Sequence, residues 1–438
     1  MAEQKYQLGF AASMALVVGN MIGSGIFMLP ASLAAFGGIS LLGWVFSSAG
    51  ALLLATLFGN LSRLLPDADG GPYAFTRAGL GDFPAYLVAW GYWVSIWSTN
   101  AAIAVALVGY LGVFFPVLDD HPQWAILTGL GFIWLFSWVN TRSVRTVGWI
   151  QLATTVLKVL PILFIGIIGV FYFQDDHLVP FNRSSESSFA AITSTTTLTL
   201  FAYLGMESAT VPASSTSDAS RTIRRATIWG TAITIALYIL SSAAVMGIVP
   251  PQLLEVSTAP FADAAALFWG DAAKYIVAAG AVISTMGALN GWLLIQGQLP
   301  MAASLDGLFP KIFSRVNRFY QPAAGILLSS ILVSLLMLAN FSKSLVGAFT
   351  FMMTLSTLSV ITPYVFSTAS YALHVLKEKK PKRMAALILA ALAFCFSLWI
   401  IIGCGQEVVY WGFLLLIAGI PFYVLMKYNR RKGKDARI

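Results

Sequence analysis

Residues 41–61, from Leu41 to Leu61, form a stretch with no charged side chain. About 20 apolar residues in a helix cross the ~30 Å hydrocarbon layer of a bilayer. Twelve apolar segments are read along the chain, at about 9–34, 39–62, 84–113, 123–140, 147–173, 189–212, 225–249, 271–303, 322–340, 344–374, 384–403 and 408–427. Their apolar runs are continuous rather than alternating, so helices are expected and a barrel is not. Of 438 residues, 58% are hydrophobic and 10% charged, whereas a soluble domain carries about 25% charge. That balance excludes a soluble enzyme, a disordered chain and a disulfide scaffold. Cys395 and Cys404 lie in or beside one apolar segment and read as packing residues. The apolar stretch after Met1 to Leu8 is too long for a cleavable leader.

Charge orients the segments. With the N-terminus cytoplasmic, 22 of the 26 Lys and Arg fall on the inner side, among them Arg63, Arg77, Arg224, Lys311, Arg315 and the tail from Lys427 to Arg437. Arg183, Lys274 and Lys343 fall outside, and Lys158 lies within a segment. This is the positive-inside distribution. It places both termini in the cytoplasm and explains the net charge of +8 by flanks near anionic lipid rather than by a nucleic-acid partner.

Two segments are interrupted at mid-depth. The first contains Gly19-Asn20-Met21-Ile22-Gly23-Ser24-Gly25-Ile26-Phe27, the sixth Phe201-Ala202-Tyr203-Leu204-Gly205-Met206-Glu207-Ser208. Closely spaced glycines make continuous winding doubtful. These segments open two five-segment halves, 8–173 and 189–374, followed by two further helices at 384–427 and a basic tail at 428–438. Matching interruptions in corresponding segments point to an inverted-repeat transporter; close packing by small residues is the alternative. A break also exposes backbone groups. The outer half of segment one, beginning near Gly25, presents N–H groups suited to a carboxylate, and Ser24 adds a hydroxyl. The first half of segment six ends near Leu204 with free carbonyls suited to an ammonium. A zwitterionic α-amino acid head satisfies both.

Gly19 to Pro30 resembles the first helix of the amino acid–polyamine–organocation superfamily. Gly70-Gly71-Pro72-Tyr73-Ala74 is similar to that family's inner loop, and Phe201 to Ala209 to its sixth helix. Ser257-Thr258-Ala259-Pro260-Phe261 and Asp306 to Phe313 resemble the basic amino acid/polyamine antiporter branch, in particular the arginine/agmatine exchangers. The resemblance implies an all-α integral membrane protein of the bacterial inner membrane. It has twelve transmembrane helices in a LeuT-like 5+5 inverted repeat, works by alternating access and is able to form a homodimer through its last two helices. It further implies that Met21, Ser24, Gly25, Phe201 and Leu204 hold the head group. The substrate side chain then lies along Ile96, Asn100, Trp292 and Ser356. Trp292 otherwise reads as a core aromatic, and Asn100 as an interhelical bond. The counterparts of Tyr92 and Tyr73 line the outer cavity and the inner gate.

Two departures bear on the substrate. The arginine/agmatine exchangers carry Trp at the position of Phe201 and a small apolar residue at that of Lys158. Lys158 resembles instead the sodium-independent, proton-coupled members, where an ammonium replaces a sodium ion. Lys158 and Glu207 are the two ionisable side chains at mid-membrane, and each needs a partner or a cavity. Proton coupling or gating is expected of them; a cap on the second half-helix is the alternative for Glu207. No nucleotide-binding glycine loop or catalytic pair is found, and His121, His177 and His374 lack ligand spacing, so neither enzyme, metal nor cofactor is expected. The reading is an antiporter of basic amino acids or their amines. A proton-coupled transporter of neutral amino acids and a non-transporting amino acid sensor are the alternatives.

Overall fold

A computed structural model describes residues 9–66, 68, 70–142, 144–211, 216–340, 342–377 and 383–435. Met1 to Leu8, the basic stretch 378–382 and the last three residues, which enter the charge count above, lie outside the described residues. The regular elements are helical: α1 Phe10–Met21, α2 Ser24–Ala34, α3 Ser40–Leu64, α4 Pro72–Leu80, α5 Asp82–Gly112, α6 Val117–Asp120, α7 Pro122–Asn140, α8 Val144–Gly169, α9 Ser188–Leu200 and α10 Ala219–Ile248. Then follow α11 Pro251–Leu254, α12 Pro260–Trp269, α13 Asp271–Leu305, α14 Ala323–Ala339, α15 Leu345–Lys377, α16 Arg383–Gly403, α17 Gln406–Ile417 and α18 Gly419–Asp435. Each expected apolar segment falls on one or two of these helices. Among the described residues nine helical stretches are long and apolar enough to cross a membrane, with shorter apolar helices at Leu157–Tyr172 and Ala323–Ala339. The protein is thus a multi-pass membrane protein.

Unlike a soluble protein, the chain exposes many large apolar side chains and also buries many polar ones. Phe46, Trp134, Leu160, Ile276, Leu335 and Phe413 are exposed, while Ser47, Thr199, Asn100, Asn140, Asn290 and Gln296 are buried. In hydrocarbon, apolar side chains gain nothing by hiding, so helices associate through close packing and interhelical hydrogen bonds. Helix α5 is buried along nearly its whole length and packs against α13 and α15, while α3 packs on α9 and α10. The α3–α9 crossing depends on Gly43. A Cβ there would lie 2.7 Å from the Thr195 carbonyl carbon, and Thr199 Oγ1 donates to the Gly43 carbonyl at 3.1 Å.

The two ends of the bundle differ in charge. One is tied together by Arg77–Asp306 (3.2 Å), Lys427–Asp82 (3.1 Å) and Arg224 to Asn60 (3.2 Å). It carries most of the described cations and is termed the basic face. The other, the acidic face, holds Asp119, Asp120, Glu255, Asp263, Asp271 and Glu407. Ser32 and Thr350 meet there at 2.9 Å, and Lys343 pairs with Glu407 at 3.2 Å.

Gly43→Val is expected to lower the thermal stability of the purified protein by about 1–3 kcal/mol, the usual cost of overpacking. Gly131→Ala, where a Cβ meets nothing within 4 Å, should leave it unchanged. Thermal unfolding followed by monodisperse elution in detergent checks both.

Candidate functional site

Both interruptions are real breaks. Helix α1 stops at Met21, Ile22 is extended, and α2 starts at Ser24. The sixth segment leaves the α-helix after Leu200 for one tight turn over Phe201–Tyr203. Leu204 is extended, and Gly205 turns the chain with φ +99°, a conformation that L side chains rarely adopt. The breaks lie against each other. A Cβ on Gly25 would meet the Ala202 Cα at 3.1 Å, and one on Gly205 would meet the Asn20 Cβ at 3.2 Å. Between them a small cavity of about 10 Å³ is lined by Asn20, Met21, Gly23, Ser24, Gly25, Thr99, Ile103, Phe201, Ala202, Leu204 and Trp292.

The last carbonyls of α1 have no partner within the helix, and in hydrocarbon each unpaired one costs several kcal/mol. Three helices supply donors. Lys158 Nζ in α8 donates to Gly19 O at 2.9 Å. Trp292 Nε1 in α13 donates to Asn20 O at 3.3 Å, and the Tyr238 hydroxyl in α10 to Met21 O at 2.7 Å. The α2 side is different. Its first N–H groups are free by helix geometry. Ser24 Oγ and Asn20 Nδ2 are buried without a hydrogen-bond partner among the described residues. Asn20 and Ser24 both line the cavity, so these donors are available to an acceptor that enters it. A helix N-terminus with added N–H and O–H donors favours an anionic group such as a carboxylate.

Glu207 lies beyond the sixth-segment break, fully buried. Tyr92 Oη of α5 donates to Oε1 at 2.6 Å, and Tyr364 Oη of α15 to Oε2 at 3.3 Å. No cation pairs with Glu207 among the described residues; two phenols hold the carboxyl group instead. Tyr92 was expected at the outer cavity. It sits two helical turns from Thr99 toward the basic face, because α5 starts at that face with Asp82. There it ties α5 to the broken segment. Tyr73 of α4 donates to Asp306 Oδ2 at 3.1 Å, beside the Arg77–Asp306 pair, and so clasps α4 to the end of α13 at the basic face. Lys158 and Glu207 do not form a pair with one another.

The structure gathers Met21, Ser24, Gly25, Phe201, Leu204 and Trp292 on one cavity. Ile96, Asn100 and Ser356 are buried just behind it. Asn100 Nδ2 donates to Gln296 Oε1 at 2.8 Å, and Ser356 Oγ meets Thr99 Oγ1 at 2.6 Å. Asn20, Thr99, Ile103, Tyr238 and Tyr364 escaped the sequence reading. Every apolar segment carries at least one serine, threonine or tyrosine, and nothing in spacing marks these few. Among the described residues no cluster of His, Cys, Asp or Glu is arranged for a metal ion.

Comparison with known proteins bears on this arrangement. The amino acid permease family model matches residues 8–420. An arginine/ornithine antiporter of Pseudomonas aeruginosa is 29% identical, covering 98% of this chain and 92% of its own length. A cadaverine/lysine antiporter of Escherichia coli (strain K12) is 29% identical, covering 97% and 96% respectively. The crystal structure of an Eremococcus coleocola manganese transporter, in complex with an aromatic bis-isothiourea substituted compound, superposes with a TM-score of 0.53 at 13% identity. It covers 97% of this chain and 95% of that one, a likeness of fold alone.

Removing either phenol from Glu207 should destabilise the protein, by about 1.5–3 kcal/mol for a hydrogen bond to a charged group. Tyr92→Phe should cost more than Tyr364→Phe, since its bond is 2.6 Å against 3.3 Å. The two unfolding midpoints, compared with wild type in the same detergent, test the order.

Proposed function

The chain belongs to the amino acid permease family, and from that premise we propose that it is a secondary active antiporter of basic amino acids and their amines. It is a transporter and not an enzyme. The observation that carries the reading is the cavity at the two breaks, where unpartnered donors at the N-terminus of α2 face the turn of the sixth segment. Relatives that are arginine/ornithine and cadaverine/lysine antiporters over nearly the full length support the basic class.

In this reading twelve spanning helices form two inverted halves, 8–173 and 189–374, with α16 to α18 added. The basic face is cytoplasmic, where anionic lipid favours Lys and Arg. The substrate carboxylate takes the N–H groups of Ser24 and Gly25 and the Ser24 hydroxyl. Its α-ammonium takes the carbonyl end at Phe201–Leu204. The side chain extends between Phe201 and Trp292 toward Ile96, Asn100 and Ser356. Entry of a ligand into so small a cavity requires the breaks to separate, and that movement is the gate of alternating access. The Tyr92–Glu207–Tyr364 cluster and the Tyr73–Asp306 clasp close the cytoplasmic route.

Lys158 holds the carbonyl end of α1 from outside the substrate cavity. An ammonium here does what a bound sodium ion would do, so transport is sodium-independent. Loss or gain of a proton on Lys158 or Glu207 changes a hydrogen bond to a broken segment, which couples pH to gating. The Lys158–Gly19 bond also favours a second reading, proton-coupled transport of neutral amino acids.

Counterflow in proteoliposomes separates these readings. Labelled arginine is expected to exchange with arginine, ornithine, lysine and agmatine and not with alanine or leucine. Exchange confined to neutral amino acids would establish the second reading, and binding without flux a sensor. Gly25→Val should weaken arginine at least about tenfold, the loss of roughly one hydrogen bond to a charged group, because its side chain occupies the space beside Phe201 and Ala202 where the substrate head would approach the backbone.

Uptake measured from pH 5 to 8 tests the proton role. Lys158→Ala and Glu207→Gln are each expected to flatten the profile, and Lys158→Ala to slow turnover as well. Wild-type pH dependence in both variants leaves the two groups only a structural part.

A further inference from the structure

A cleft of about 760 Å³ opens at the acidic face and shares no lining residue with the cavity at the breaks. Its floor, including Val105 and Met352, is apolar, and its charged wall consists of Asp119, Asp263, Lys274 and Lys343. Three of these four have ionic partners. Lys274 meets Asp263 at 3.3 Å, Ser257 also donates to Asp263 at 2.6 Å, and Lys343 meets Glu407 at 3.2 Å. Asp119 has none among the described residues: it accepts only from Thr258 Oγ1, at 3.3 Å. Partial burial holds its carboxyl above the usual carboxylate range, as for an anion short of a counter-ion.

The same short segment carries the cleft wall and a clamp on α2. Ser257, Thr258 and Asp263 line the cleft. Phe261, among them in sequence, packs edge-on against Phe27 of α2 with ring centroids 5.3 Å apart. The Tyr110 hydroxyl joins the two backbones, donating to Phe27 O at 2.9 Å and accepting from the Phe261 N–H at 3.2 Å. A ligand that moves Asp119 and Thr258 therefore pulls on the segment holding α2, whose first turn forms the cavity at the breaks.

We propose that this cleft is a second recognition site for the transported basic amino acid, in which Asp119 receives the side-chain cation and the Lys274 and Lys343 side receives the α-carboxylate. The inference rests on the transport reading above. Two carboxylates and two ammoniums around one cleft complement a ligand carrying both signs. A bare amine has no group for the lysines. The cleft thus favours the amino acid over its decarboxylated amine at the acidic face.

The test is initial-rate uptake of labelled arginine by right-side-out vesicles, with arginine varied at one face at a time. For Asp119→Asn the KM at the acidic face should rise about tenfold, as for one lost hydrogen bond to a charged group. The KM at the basic face should stay unchanged, and Asp119→Glu should restore the acidic-face KM. Lys343→Gln tests the cleft independently: it should raise the acidic-face KM for arginine several-fold and leave that for agmatine unchanged. An unchanged KM in Asp119→Asn, an equal rise at both faces, or equal effects of Lys343→Gln on arginine and agmatine overturns the cleft while wild-type exchange stands. Failure of wild-type protein to exchange arginine overturns the transport reading itself.

Discussion

Every backbone group at membrane depth must find a partner without help from water, and the site depends on how two broken helices meet that demand. At the carbonyl end of α1 the demand is met inside the protein, by Lys158, Trp292 and Tyr238. At the N–H end of α2 it is left partly open, with Ser24 Oγ, and Asn20 Nδ2 from the facing end of α1, buried without a partner among the described residues. One break is therefore closed on its electronegative side and receptive on its electropositive side. We propose that this asymmetry is what makes a binding site of the break.

The surrounding helices hold these partners in place. Lys158, Trp292 and Tyr238 come from α8, α13 and α10, so a single break is anchored to three helices at once. Glu207 is anchored to α5 and α15 through Tyr92 and Tyr364. A shift of either broken segment must exchange several of these bonds together. Packed elements with discrete sets of bonds move between arrangements rather than deform gradually, as alternating access requires.

Where the sequence was informative, a strong local signal carried the information. Most apolar runs predicted a helix to within a few residues, the sixth overran α9 by twelve and the twelfth is divided between α17 and α18, and the glycine clusters predicted both breaks. Lys158 stood out because a lone ammonium in an apolar segment has to be explained. The signals failed where chemistry depended on distant partners. Nothing in residues 362–364 marks Tyr364 as a ligand of Glu207, and Tyr238 looks like any buried aromatic until α10 lies beside Met21. For Asn100 the sequence leaves open a substrate contact or an interhelical bond; in the structure its amide is bonded to Gln296, 196 positions away.

The sequence by itself determined the membrane environment, the helical character of the apolar runs, the positions of the two breaks along the chain and the uneven charge of the two faces. These follow from hydrophobic length, glycine's backbone and the distribution of Lys and Arg, all of which act locally. Tertiary structure alone decided which carbonyls are capped and which donors remain free. It also decided that Tyr92 faces Glu207 toward the basic face and that Asp119 lines a cleft without an ion pair among the described residues. Those outcomes depend on hydrogen bonds a few ångströms long between residues far apart in the chain, and only the packing of the helices brings such residues within reach.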